Sequence, residues 1–272
     1  MSWTNSAAAL ARLKDVQCFV LDMDGTFYLE DEILEGSLEF YHQVLASGRR
    51  ILFLTNNSSH DGAYYVERLR RMQVPVTSDD IYTSGMATCQ YLHRAYAGKR
   101  VWLMGNDFLR REFMAHGITP VEEDPEVVVV GFDTTLDYAK LTKVCDYVRA
   151  GLPYIATHPD YNCPVKNGFI PDLGSFMALI EASTGRKADY IVGKPHGEIV
   201  RGMLEMTGLA PEQLCLCGDR LYTDIATGVN NGILSVCVLT GETSPADIEV
   251  STVRPDLVME RLSSILPYLK EE

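Results

Sequence analysis

Short apolar runs alternate along this chain with stretches whose apolar residues recur at helical spacing, and that alternation restricts the folds open to it. The runs cover residues 16–21, 51–54, 101–104, 127–130, 154–156, 214–217 and 233–239. They are brief and rich in β-branched residues, as parallel strands buried on both faces are. Between them, Tyr65, Leu69 and Met72 fall on one helix face, and Ser58-Ser59 is the expected cap of that helix. Cys89, Leu92 and Tyr96 mark another helix; so do Leu141, Val144, Cys145 and Val148, and Ile199, Val200, Met203 and Leu204 before Gly208. Strands and helices in this order predict an α/β fold, a parallel sheet with helices on both faces. A chain of 272 residues, 46% of them apolar, has ample material for a core.

Charge and cysteine usage narrow the function. Lys and Arg number 24 against 37 Asp and Glu, a formal net charge of −13, with no basic cluster. Such a chain repels polyphosphate, so a nucleic-acid partner is not expected. A phosphate site would have to be built from local groups. The seven cysteines show no paired metal-ligand spacing, since Cys215 and Cys217 form a lone C-x-C, and all are expected as reduced thiols in a cytoplasmic protein. No apolar run approaches the length of a membrane span, so no membrane partner is expected.

Four motifs carry chemistry. In Val20-Leu21-Asp22-Met23-Asp24-Gly25-Thr26 a strand delivers two carboxylates to its C-terminal end, where open α/β sheets bind ligands. Strand alternation would put Asp22 and Asp24 on one side, where they repel unless a cation or proton intervenes. Leu54-Thr55-Asn56-Asn57-Ser58-Ser59 ends a second strand in hydroxyls and amides ahead of a helix, a neutral cradle for an anion. Val192-Gly193-Lys194-Pro195 supplies a cation, with Pro195 suited to a helix's first turn. Leu216-Cys217-Gly218-Asp219, with Asp224 five residues on, ends a further strand in acid suited to Mg²⁺. Singly, each has a plain structural reading: a solvated turn, an N-cap, an exposed lysine, a helix-start acid. Together they are the parts of a phosphoryl-transfer site.

The order DxDGT, Thr at a strand end, Lys, then GDxxxTD resembles the haloacid-dehalogenase (HAD) superfamily of phosphatases. LTNNS, VGKP and GDRLYTD most resemble its NagD-like and nitrophenyl phosphatase branch. The resemblance implies a Rossmann-like core of residues 1–82 and 190–272, with a smaller α/β cap domain inserted at 83–189. It implies Asp22 as nucleophile, forming an aspartyl-phosphate, and Asp24 as general acid and base. It implies Mg²⁺ as cofactor, held by the carboxylates of Asp22 and Asp219 and the backbone carbonyl of Asp24. It implies Thr55, Asn56, Asn57 and Lys194 as phosphate-binding residues, with Asp224 behind them orienting Lys194 or a metal-bound water. The partner it implies is a small phosphorylated metabolite of sugar phosphate, phosphoglycolate, pyridoxal phosphate or nitrophenyl phosphate type. Relatives also form homodimers through the cap, although no decisive apolar stripe marks one here. Residues 27–34 are expected as a flap turning at Glu30-Asp31-Glu32, and the loop from Thr157 to Ser175 as the substrate loop, with His158, Asp160 and Lys166 as contacts. His196 is expected as an exposed residue at a helix start. A dehalogenase of the same fold needs neither Asp24 nor Asp219; a silent binding protein would need no catalytic set.

Overall fold

The apolar runs become strands, and their ends explain where polar chemistry collects. A computed structural model describes residues 5–165 and 167–269, and the chain divides into two compact units. The first comprises Met1–Leu54, Val66–Ile81 and Val200–Glu272; the second comprises Thr55–Tyr65 and Tyr82–Ile199.

In the first unit the sheet order is Leu257–Met259, Leu234–Val238, Leu214–Gly218, Cys18–Leu21, Arg50–Thr55 and Ile81–Thr83. Cys18–Leu21 pairs in parallel with both neighbours, Leu21 lying opposite Cys217 on one side and Phe53 on the other. Every residue of Cys18–Leu21, Leu214–Gly218 and Leu234–Val238 is buried, as a two-sided parallel sheet demands. The helix Ser37–Ala46 buries Phe40, Tyr41 and Val44, and the ring of Phe40 meets Phe19 edge-on at 5.2 Å. Each such aromatic or aliphatic side chain contributes about 1.5–3 kcal/mol by leaving water. The expected flap is present: Tyr28–Leu29 pairs antiparallel with Glu32–Ile33. Arg68 holds it down, its guanidinium 4.5 Å over the Tyr28 ring and donating to the Glu30 carbonyl.

The second unit has its own parallel sheet, in the order Tyr190–Ile191, Tyr154–Ala156, Val127–Val130 and Val101–Met104. The helices Tyr138–Arg149 and Leu173–Thr184 bury Val144, Val148 and Ile180 against Val128, Val130 and Tyr154. An antiparallel hairpin of Asn162–Val165 and Gly168–Pro171 interrupts the expected substrate loop.

Some local elements differ from expectation. The first strand begins at Cys18 rather than 16, and the last long one is trimmed to Leu234–Val238. The helix after the Thr55 motif is Gly62–Arg71, and its cap is Asp61, whose carboxylate accepts from the Tyr64 amide at 2.9 Å. Ser58 and Ser59 bond elsewhere: Ser58 Oγ to Thr157 and the Phe132 amide, Ser59 to the Asn57 side chain. Pro195 precedes the helix Gly197–Thr207 rather than entering its first turn. His196 is half-buried, and burial lowers its pKa. All seven cysteines are free thiols. Among the described residues no helix is long and apolar enough to cross a membrane.

Glu112, on the helix Asp107–Ala115, is the buried acid that ties the second unit's separate segments together. Its carboxylate accepts from the Gly62 amide at 3.0 Å and the Thr83 hydroxyl at 2.9 Å. Gly85 leaves room for it, since a Cβ there would lie 1.9 Å from Glu112 Oε2. Burial, with a smaller push from Asp61, raises this carboxyl from 4.5 to about 7. A raised acid is protonated in both folded and unfolded chains well below pH 4.5, so it costs nothing there. As pH climbs to about 7 the unfolded chain ionises first, and the folded state loses on the order of 3 kcal/mol. Glu112→Gln is therefore expected to flatten the decline of melting temperature between pH 5 and 8. Parallel pH profiles for the two proteins would show that Glu112 ionises without penalty.

Candidate active site

The register of the first unit's sheet brings two acids to one edge. Leu21 and Cys217 lie opposite each other in parallel strands, so Asp22 and Asp219 leave the sheet at the same end. The Asp22 amide still donates to the Cys217 carbonyl at 2.9 Å. Asp224 joins them, and one carboxylate oxygen from each of Asp22, Asp219 and Asp224 lies within 4.8 Å of the others. Asp219 and Asp224 are buried and Asp22 half-buried. Asp224 sits on the turn Leu221–Ile225 that leads into the helix Ala226–Asn231.

Backbone closes around these acids. Cβ atoms at Gly25 and Gly241 would come within 2.6 and 2.0 Å of Asp219 Oδ2. Gly25 also turns with φ +86°, a conformation that other residues resist. Gly218 makes space for the Asp224 side chain, since a Cβ there would lie 2.2 Å from it. Thr26 donates to Asp219 Oδ1 at 3.2 Å and the Glu242 amide to Oδ2 at 2.7 Å. Asp224 accepts more weakly from the Arg220 amide at 3.3 Å and the Thr223 hydroxyl at 3.4 Å.

Burial first, and then the charge of Asp224, push Asp219 from 3.8 up to about 6. Arg220 opposes the shift but is itself paired with Glu242 at 3.0 Å. Acids confined together, with one pushing up the pKa of its neighbour, are the electrostatic mark of a site made for a cation.

Asp24 departs from the alternation argument. The strand ends at Leu21, and the chain turns over the Met23 carbonyl, which accepts from the amides of Thr26, Phe27 and Tyr28. Asp24 forms an isolated bridge with Tyr28 at the base of the flap, and its side chain is not in the carboxylate cluster. Asp24 itself is half-buried.

The remaining motif residues lie in the second unit. Thr55 ends the strand Arg50–Thr55, and its hydroxyl oxygen accepts from the Asn57 amide at 3.1 Å, which leaves the O–H directed elsewhere. The Asn57 side-chain oxygen is committed to Ser59, from both amide and hydroxyl. Asn56 is buried and its carboxamide grips the backbone of Lys194: Oδ1 accepts from the amide at 2.8 Å and Nδ2 donates to the carbonyl at 3.1 Å. The side chain of Asn56 is thereby occupied by protein rather than offered to phosphoryl oxygens. Lys194 is 2% exposed, which for an ammonium demands anionic company.

The expected substrate contacts behave as framework. His158 is buried between Thr157 Oγ1 at 3.0 Å and Asp172 Oδ1 at 2.9 Å. Asp160 is buried too and accepts from Asn56. His158, Asp160 and Asp172 form a second cluster of potential ligand atoms, in which His158 is bonded to Asp172 while Asp160 accepts from Asn56. Lys166 lies outside the described residues. Thr26 is part of the first motif but is given no role by the sequence, and Gly241 and Glu242 are not singled out by it; a signal for the last two exists, since they come three and four residues after the strand Leu234–Val238 at the same sheet edge.

Known proteins share this fold. The model of the haloacid dehalogenase-like hydrolase family matches residues 19–119, and a HAD-hydrolase-like model matches residues 191–265. The 4-nitrophenylphosphatase of Thermotoga maritima is 46% identical, with a TM-score of 0.92 over 95% of this chain and 99% of that one. The chain belongs to the HAD superfamily phosphatases, in the NagD-like branch. NagD from E. coli K-12 is 31% identical, with a TM-score of 0.84 over 91% of this chain and 97% of its own. An acid sugar phosphatase of Staphylococcus epidermidis is 30% identical over 260 residues, covering 95% of this chain and all of the relative. The two family-model matches between them include every motif residue of this HAD chain, from Asp22 through Asn57 and from Lys194 to Asp224.

Proposed function

We propose that the protein is a cytoplasmic, Mg²⁺-dependent phosphatase that hydrolyses small-molecule phosphomonoesters through an aspartyl-phosphate at Asp22. The carrying observation is the cluster of Asp22, Asp219 and Asp224, with Asp219 lifted to about 6 by burial and by Asp224. The donor set fits the ion: hard carboxylate oxygens, confined by Gly25 and Gly241, whose mutual repulsion a divalent cation relieves. Asp22 and Asp219 would hold Mg²⁺ with their carboxylates and Asp24 with its backbone carbonyl, while Asp224 adds negative charge alongside. When bound, the ion offsets the cluster's charge and that developing on the phosphoryl group.

In this reading an oxygen of ionised Asp22 attacks phosphorus, and the ester oxygen departs with a proton from Asp24. Asp24, now ionised, removes a proton from the water that attacks the phosphoenzyme, which returns Asp22 and releases inorganic phosphate. The hydroxyl of Thr55 and the ammonium of Lys194 bind phosphoryl oxygens, with Asn56 and Asn57 shaping the loop. Residues 1–82 and 190–272 would form the catalytic core and 83–189 the cap that shields the intermediate from stray water. The leaving group is a small metabolite. Acid sugar and 4-nitrophenyl phosphatases among the relatives support that class.

The test is release of 4-nitrophenol from its phosphate ester with Mg²⁺, after EDTA, and after Mg²⁺ is restored. Turnover lost and regained supports the reading. Chelator-resistant turnover, or none across a panel of phosphorylated metabolites, contradicts it. Within this scheme, Lys194→Ala is expected to raise the inhibition constant of inorganic phosphate by roughly 10-fold or more, as loss of a charge-assisted bond does. An unchanged constant would remove Lys194 from phosphate binding.

A further inference from the structure

Asp160 has no place in the scheme above, yet its geometry gives it one. A carboxamide has two orientations of nearly equal shape, and its neighbours decide which is adopted. The Asn56 carboxamide must present oxygen to the Lys194 amide and nitrogen to the Lys194 carbonyl, since both bonds, at 2.8 and 3.1 Å, close on one residue's backbone. Asp160 lies on the nitrogen side, its oxygens 3.2 and 3.4 Å from Nδ2. An ionised carboxylate only accepts, so the reversed amide would set oxygen against oxygen there and NH₂ against the Lys194 N–H. We propose that Asp160 is a positioning residue for Lys194, acting through the carboxamide of Asn56.

The surroundings are built for this task. The Asp160 carbonyl accepts from the Gly174 amide at 2.7 Å, and a Cβ on Gly174 would lie 2.5 Å from the Pro159 carbonyl oxygen. A Cβ on Gly193 would lie 2.6 Å from Asn56 Oδ1 and 2.7 Å from the Thr157 carbonyl oxygen. The Gly193 amide donates to that same Thr157 carbonyl at 2.8 Å, which registers the Lys194 segment against the loop carrying Asp160. Two glycines thus permit a backbone approach that Asp160 and Asn56 then fix. With both its N–H and C=O held by one planar group, Lys194 has its backbone fixed, and with it the direction of its Cα–Cβ bond.

The inference rests on the phosphatase reading of Lys194, and a double-mutant cycle separates the two. kcat/KM for 4-nitrophenyl phosphate with Mg²⁺ is measured for wild type, Asp160→Ala, Lys194→Ala and the double variant. Loss of a partner behind a functional residue typically costs about 10–100-fold, and Asp160→Ala is expected to fall in that range. In the Lys194→Ala background the same change is expected to cost less than about threefold, because the residue it positions is gone. Asp160→Asn keeps one acceptor oxygen and is expected to fall between wild type and Asp160→Ala. An equal loss in both backgrounds, or no loss in either, overturns the proposal. Wild-type kcat/KM in Lys194→Ala would instead overturn the phosphatase role of Lys194. Should Asp160→Ala not fold, Asp160→Asn takes its place in the cycle, and the same two outcomes decide.

Discussion

Asp22→Asn is expected to reduce turnover of 4-nitrophenyl phosphate by at least about 10⁴-fold, as loss of a nucleophile from a cooperating set does. An amide oxygen carries no full charge and is a poor nucleophile toward phosphorus. The substitution is nearly isosteric, and Asp22 is held through its backbone amide on Cys217 and not only by its side chain, so the fold should survive. Equal melting temperatures with turnover abolished would assign the loss to chemistry. A phosphoenzyme still forming in the variant would mean that another group attacks.

Asp219→Asn is expected to separate stability from activity. The wild-type carboxylate is buried beside Asp224 and raised to about 6, a strained arrangement in the absence of a cation. A neutral amide relieves the repulsion, so the melting temperature in EDTA should rise. Activity should respond in the opposite sense. A lost carboxylate ligand should raise the Mg²⁺ concentration for half-maximal rate by at least the roughly 100-fold that supporting partners alone can cost. Opposite movements of this kind are the usual signature of a functional residue held at the expense of stability. An unchanged Mg²⁺ requirement would place the ion elsewhere.

What the sequence disclosed follows from the range of the interactions. Strands Val101–Met104, Val127–Val130 and Tyr154–Ala156 were legible to the residue, because four- and three-residue apolar runs between turns have little else to become. Ile81–Thr83, Tyr190–Ile191 and Leu257–Met259 were not, and all three are short strands at sheet edges. With only two or three residues each and one neighbour to pair with, they carry too little pattern of their own, whereas the edge strand Val101–Met104 has a four-residue apolar run. The carboxylates of Asp22 and Asp219 were legible because strand ends of an α/β sheet are where such groups gather. The use of Asn56 was not, for its partner Lys194 is 138 positions away and only the folded second unit brings them together. His158 and Asp160 misled for a related reason. Polar residues among turn formers suggest an exposed loop, whereas hydrogen bonds to Asp172 and Asn56 let them be buried.

The central claim is covalent: phosphorus passes to Asp22 on its way to water. Acid quenching during turnover followed by borohydride reduction tests it, because an acyl phosphate is reduced to an alcohol while a free carboxylate is not. Peptide mass spectrometry should then find homoserine in place of Asp22. Reduction at a different residue, or none while hydrolysis proceeds, would contradict the account.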